Sequence, residues 1–211
     1  MPISLDVDKF LDILKPDRCP LCFLLQDYVH EHIKSLLEES VTDPVSRKAL
    51  FQSRGFCRRH AWMGVQQGKH LGMSVIYASL LEKGLKELAD GPKFWKKTSP
   101  KPCPICESEK KRDLSQIQQF AAAWEQSEKL RESFKTHGIL CLNHLEKILQ
   151  EKINATHRKS LYETGKKALE ALLKELNEFL EKQDYHRSHE SFGKERDAWI
   201  RVVRVISGER E

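Results

Sequence analysis

Cys19, Cys22, Cys57, Cys103, Cys106 and Cys141 fall into two matching frames. Cys19-Pro20-Leu21-Cys22 is repeated as Cys103-Pro104-Ile105-Cys106, and Cys57-Arg58-Arg59-His60 as Cys141-Leu142-Asn143-His144. In each frame 34 residues separate the Cys-Pro-x-Cys half from the Cys-x-x-His half, and every ligand-type residue recurs 84 positions later. Three thiolates and one imidazole make a complete tetrahedral set for a metal ion. Residues three apart share one face of a helical turn, so each half presents two donors together. A helix N-terminus favours negative charge and so favours thiolates. Read along the chain, Cys19, Cys22, Cys57 and His60 form one site, and Cys103, Cys106, Cys141 and His144 form the other.

Two zinc ions are the first expectation for such sets, and two iron–sulfur clusters are the alternative, since clusters also use thiolates and occasionally histidine. Charge does not separate them. Zinc with three thiolates carries −1, as does a [4Fe–4S]²⁺ core with three thiolates. Disulfides would need an oxidising compartment, which nothing in the sequence signals. Thioredoxin-like use of Cys-Pro-x-Cys expects a βαβ setting, which is missing. Four protein ligands leave no open position for water, which argues against hydrolytic zinc chemistry. There is no Walker loop, dinucleotide fingerprint or serine elbow. A catalytic role is therefore not indicated, and no catalytic residue is assigned.

The elements that must carry these donors read as helices. Leu25, Val29, His32/Ile33 and Leu36 form a stripe at helical spacing. Asp43-Pro44 gives an N-cap followed by proline, Ala49-Leu50-Phe51 follows, and Gly55 is a stop. Cys57 and His60 open a third helix. Gly68 and Gly72 bracket a break, and Met73, Ile76, Leu80, Gly84 and Leu88 mark a fourth. The second half repeats the order with Leu114, Ile117, Ala121 and Trp124, then Ser127 as N-cap, Gly138 as stop, Cys141 and His144, and a long stripe through Leu161, Ala168, Leu172, Leu176 and Phe179. The sequence thus predicts an all-α bundle of two pseudo-repeats plus a C-terminal helix. The expected division is 1–90, a Gly/Pro-bearing linker 91–102, 103–181, and a polar loop with a last helix over 182–211.

The Cys-Pro-x-Cys motif, helical spacer and Gly55-Phe56-Cys57-Arg58-Arg59-His60 resemble an uncharacterised family of prokaryotic proteins of unknown function. The second copy departs slightly, with Gly138-Ile139-Leu140-Cys141. The resemblance implies a small helical protein with cysteine-rich motifs and brings no known reaction, substrate or partner.

The chain has 211 residues and a net charge of +5, with 39% hydrophobic and 32% charged residues. That mixture excludes a disordered or collagen-like chain. No run approaches the roughly 18 apolar residues of a membrane span. The start has no basic and apolar leader pattern, so a cytoplasmic protein is expected. Lys93, Phe94, Trp95, Lys96, Lys97 and Lys101, extended by Arg58-Arg59 and Lys110-Lys111-Arg112, combine charge with aromatics in a way that suits nucleic acid. The leading expectation is a zinc-stabilised module that presents helix surfaces to a protein partner. An iron–sulfur protein in electron transfer or redox sensing comes second, and a nucleic-acid binder third. His30, His32, His70, His186 and His189 read as core, cap or surface histidines. Glu82, Glu87, Glu170 and Glu175 read as solvated helix faces.

Overall fold

Three of the helices begin where a side chain satisfies an unpaired first-turn amide. A computed structural model describes residues 7–89, 101–187 and 189–209. The helices are α1 (Val7–Ile13), α2 (Pro20–Glu38), α3 (Pro44–Ser53), α4 (Arg58–Gln66), α5 (His70–Ala89), α6 (Pro104–Gln126), α7 (Glu128–His137), α8 (Leu142–Gln150), α9 (Ala155–Glu181) and α10 (Ala198–Ser207). Short 3-10 turns cover Tyr185–Arg187 and Lys194–Asp197. There is no strand among the described residues, only an isolated bridge between Lys15 and Arg18. The all-α expectation holds.

Asp43 accepts from Ser46 N–H at 2.7 Å, Ser127 from Leu130 N–H at 3.1 Å and Asn154 from His157 N–H at 2.8 Å, each capping a helix start. The stop after α3 falls one residue earlier than expected. Arg54 takes the left-handed conformation (φ 59°), and Gly55 (φ 95°) follows with its N–H bonded to Leu50 O at 2.8 Å.

Two compact units divide the chain: Met1–Leu24 with Asp113–Glu211, and Leu25–Arg112. These bounds differ from the sequential division read from the repeat. The core residues beside the cysteines explain why. Leu21 and Leu24, in the first turns of α2, pack in one core with Ile117, Phe120 and Trp124 of α6. Ile105, in the first turn of α6, packs in the other core with Val29, Ile33 and Leu36 of α2. Each Cys-Pro-x-Cys turn therefore sits with apolar residues from the other half of the sequence.

In the first unit, Phe10 of α1 meets Phe120 edge-on at 5.3 Å, and Trp124 meets Phe134 at 5.6 Å. Trp124 is fully buried and donates its indole N–H to His157 O at 3.0 Å. Helix α1 has no counterpart in the sequence expectations. It is only seven residues long, too short to show a clear period. Helix α10 buries Ala198 and Val205 with Leu172 of α9. The segment before α10 is held by Glu195, which accepts from Lys182 Nζ at 2.6 Å and Gly193 N–H at 2.8 Å.

In the second unit, Gly72 is inside α5 rather than at a break. A Cβ there would lie 2.2 Å from the backbone oxygen of Leu37, so the glycine permits α5 to approach the end of α2. Gly72→Ala must push the helices apart and is expected to cost about 1–3 kcal/mol or more. Denaturant unfolding of the variant checks this; unchanged stability would mean the approach is not tight.

Candidate metal centres

Four helices place their donors in the same two positions. Cys57 and Cys141 are the N-cap residues of α4 and α8, and neither side chain makes a capping bond. Cys19 and Cys103 immediately precede Pro20 and Pro104, the first residues of α2 and α6. The second donor of each pair, Cys22, His60, Cys106 or His144, is the third residue of its helix. Every donor thus lies in a first helical turn, where the aligned peptide dipoles stabilise negative charge.

The structure gathers these residues as Cys19, Cys22, Cys141 and His144, and as Cys57, His60, Cys103 and Cys106. The sequential grouping is corrected: each set takes its Cys-Pro-x-Cys half from one frame and its Cys-x-x-His half from the other. Each set lies within one compact unit.

In the first set, His144 Nδ1 lies 3.4, 3.3 and 3.2 Å from the sulfurs of Cys19, Cys22 and Cys141, and Cys22 lies 3.6 Å from Cys141. In the second, His60 Nδ1 lies 3.3, 3.6 and 3.4 Å from Cys57, Cys103 and Cys106, and Cys106 lies 3.6 Å from Cys57. All donor atoms of a set fall within 4.8 Å of one another. Sulfurs held at about 2.3 Å around a tetrahedral zinc stand about 3.7 Å apart, and a nitrogen somewhat closer. The donor sets therefore fit one ion each. No cysteine is engaged in a disulfide.

Both imidazoles turn Nδ1 toward the sulfurs and Nε2 toward a carboxylate on α6. His144 Nε2 meets Asp113 Oδ1 at 2.8 Å, while Asp113 Oδ2 accepts from Lys147 at 2.8 Å. His60 Nε2 lies 3.5 Å from Glu109, whose two oxygens accept from Arg59 at 3.0 and 2.7 Å. A carboxylate behind a metal-binding histidine fixes its tautomer and raises its basicity. Neither Asp113 nor Glu109 was singled out from sequence. Their places on α6, ten and six residues after Cys103, were the available signal, but the re-paired sets were needed to interpret it.

Burial pushes the Cys19 thiol well up, with Cys141 and Cys22 reinforcing it. Burial likewise takes Cys106 up to about 12. Hydrogen bonds from Cys19 and Cys22 hold Cys141 far down. Burial opposes a charge on His144, but Asp113, Cys141 and Cys22 outweigh it and raise the imidazole to about 11. Burial, then Arg59, lowers His60.

A family model described as a family of unknown function, DUF6062, matches residues 7–211. The chain belongs to that family. No curated protein and no solved structure matches it. Membership in DUF6062 carries no reaction, so the chemistry rests on the residues of this chain.

The remaining candidates are not ligands of these sets. His32 Nδ1 pairs with Ser108 Oγ at 2.9 Å. His30 Nδ1 faces Gln67 at 3.3 Å. Glu175, expected on a solvated face, pairs with Arg201. Lys93, Phe94, Trp95, Lys96 and Lys97 lie outside the described residues.

A metal ion bound in these sets would displace protons from groups that hold them near neutrality, namely Cys19, Cys106 and His144. Metal uptake at pH 7 should therefore release protons, and apparent affinity should rise with pH. Titration in weakly buffered solution checks this; uptake without proton release would contradict it.

Proposed function

We propose that the chain is a non-enzymatic zinc protein, with one ion in each Cys3His set acting as a structural staple. The observation that carries this reading is the spacing of the donors, all within 4.8 Å of one another in each set. Multi-iron clusters place several metals and sulfides between the ligand sulfurs and require a wider frame, so the spacing favours single ions over the iron–sulfur alternative. Bound zinc would supply charge neutralisation and cross-linking. Cys19, Cys22, Cys141 and His144 would hold one ion, and Cys57, His60, Cys103 and Cys106 the other. With all four positions filled by protein, neither ion is set up to activate water.

The reading includes a protein partner. Exposed apolar stripes support it: Trp199, Val203 and Ile206 on α10, and Leu81, Leu85 and Leu88 on α5. The nucleic-acid reading has less support. Arg59 is engaged by Glu109, and the Arg112 guanidinium lies over the Tyr28 ring at 5.3 Å. Six free thiols suit a reducing compartment, in keeping with the cytoplasmic expectation. No described helix is long and apolar enough to cross a membrane.

The protein purified without oxygen or added metal should contain two zinc equivalents per chain and no visible absorption. Stripping the zinc with a chelator should abolish tertiary structure, seen in near-ultraviolet circular dichroism. Iron with acid-labile sulfide, or a metal-free chain that keeps its tertiary signal, would contradict the proposal.

A further inference from the structure

The two sets share donors and spacing but differ in what stands behind them. On one side Asp113 divides its oxygens, giving one to His144 at 2.8 Å and the other to Lys147 at 2.8 Å. The imidazole is oriented and its ligand nitrogen made more basic. On the other side Arg59 takes both oxygens of Glu109, at 3.0 and 2.7 Å. His60 Nε2 is left 3.5 Å away, fully buried and without a hydrogen bond. The guanidinium competes for the carboxylate that would brace the imidazole, and a two-pronged charged pair is the stronger competitor.

Exposure differs in the same direction. Cys19 and Cys141 are buried at 3% and 1% exposure, leaving Cys22 as the partly exposed cysteine of that set. In the other set Cys57 and Cys106 are both partly exposed, and their sulfurs are 3.6 Å apart. An incoming ligand replaces a bound thiolate one step at a time, so it needs a sulfur edge open to solvent. One set offers a single partly exposed cysteine for such attack; the other offers two neighbouring ones.

We propose that the two sites hold metal unequally: Cys19, Cys22, Cys141 and His144 retain their ion, whereas Cys57, His60, Cys103 and Cys106 form an exchangeable site that yields zinc to a competing chelator. This rests on the zinc reading above and extends it. One ion is a permanent staple and the other a transferable one. Asp113 and Arg59 act as positioning residues, through the carboxylates that face the two histidines.

The test is zinc release from the loaded full-length chain into excess 4-(2-pyridylazo)resorcinol, followed by absorbance. Two phases of one equivalent each are expected, with rates at least about tenfold apart, in line with the effect of removing an outer carboxylate partner. Asp113→Asn should accelerate the slow phase by about 10- to 100-fold and leave the fast phase alone. Arg59→Ala frees Glu109 to bond His60, so it should slow the fast phase and leave the slow one unchanged. A fast phase accelerated by Arg59→Ala would point to a role in general stability and would overturn the inference. Two equivalents leaving at one rate, a fast phase insensitive to Arg59→Ala, or Asp113→Asn acting on the fast phase would each overturn the inference while leaving the zinc reading intact. A chain that binds no zinc would overturn the zinc reading itself.

Discussion

The structure depends on the meeting of helix N-termini at the two Cys3His clusters. Helices α2 and α8 bring their first turns to one cluster, and α4 and α6 bring theirs to the other. Three sulfurs within bonding distance of a common point repel one another once ionised. The positive ends of two helices reduce that repulsion, and a divalent cation removes most of it. A structural zinc contributes on the order of 10 kcal/mol at neutral pH. That is comparable to the entire net stability of a typical domain, roughly 5–15 kcal/mol. The hydrophobic cores around Phe120 and Ile33 shape the two units, and on the proposed zinc reading the ions would decide whether the units persist.

The exchange of half-sites between the two frames could not be read from spacing. Closing the loop from Cys22 to Cys141 spans 119 positions, and that from Cys57 to Cys106 spans 49. Loop-closure entropy grows only with the logarithm of length, so the longer route costs about 1 kcal/mol more than a closure within one frame. Against the metal term that difference selects nothing. The selection comes from the apolar residues inside the motifs. Leu21 and Ile105 are both fully buried, and each packs with helices from the other half of the sequence. The turn that carries the cysteines goes where its leucine or isoleucine goes.

Much of the local structure was legible for a related reason. Asp43, Ser127 and the proline after each first cysteine act through neighbours in sequence, and the helices start where those residues require. Starts in the second half follow those in the first by 84 positions for α2/α6, α3/α7 and α4/α8, and by 85 for α5/α9. Features that depend on distant partners were not legible. Gly72 has the look of a helix break until Leu37 is seen against it. Asp113 and Glu109 are ordinary helix-surface acids until His144 and His60 arrive from other helices. All eight candidate ligand positions could be named from sequence, but not their partition.

The most direct test of that partition is zinc stoichiometry in paired cysteine variants. Cys57→Ser combined with Cys103→Ser damages a single set under the exchanged arrangement, so the variant should keep one equivalent. Cys19→Ser combined with Cys57→Ser damages both sets and should lose both equivalents. The reverse pattern, with the first pair losing two and the second losing one, would return the ligands to the sequential grouping and contradict the architecture described above.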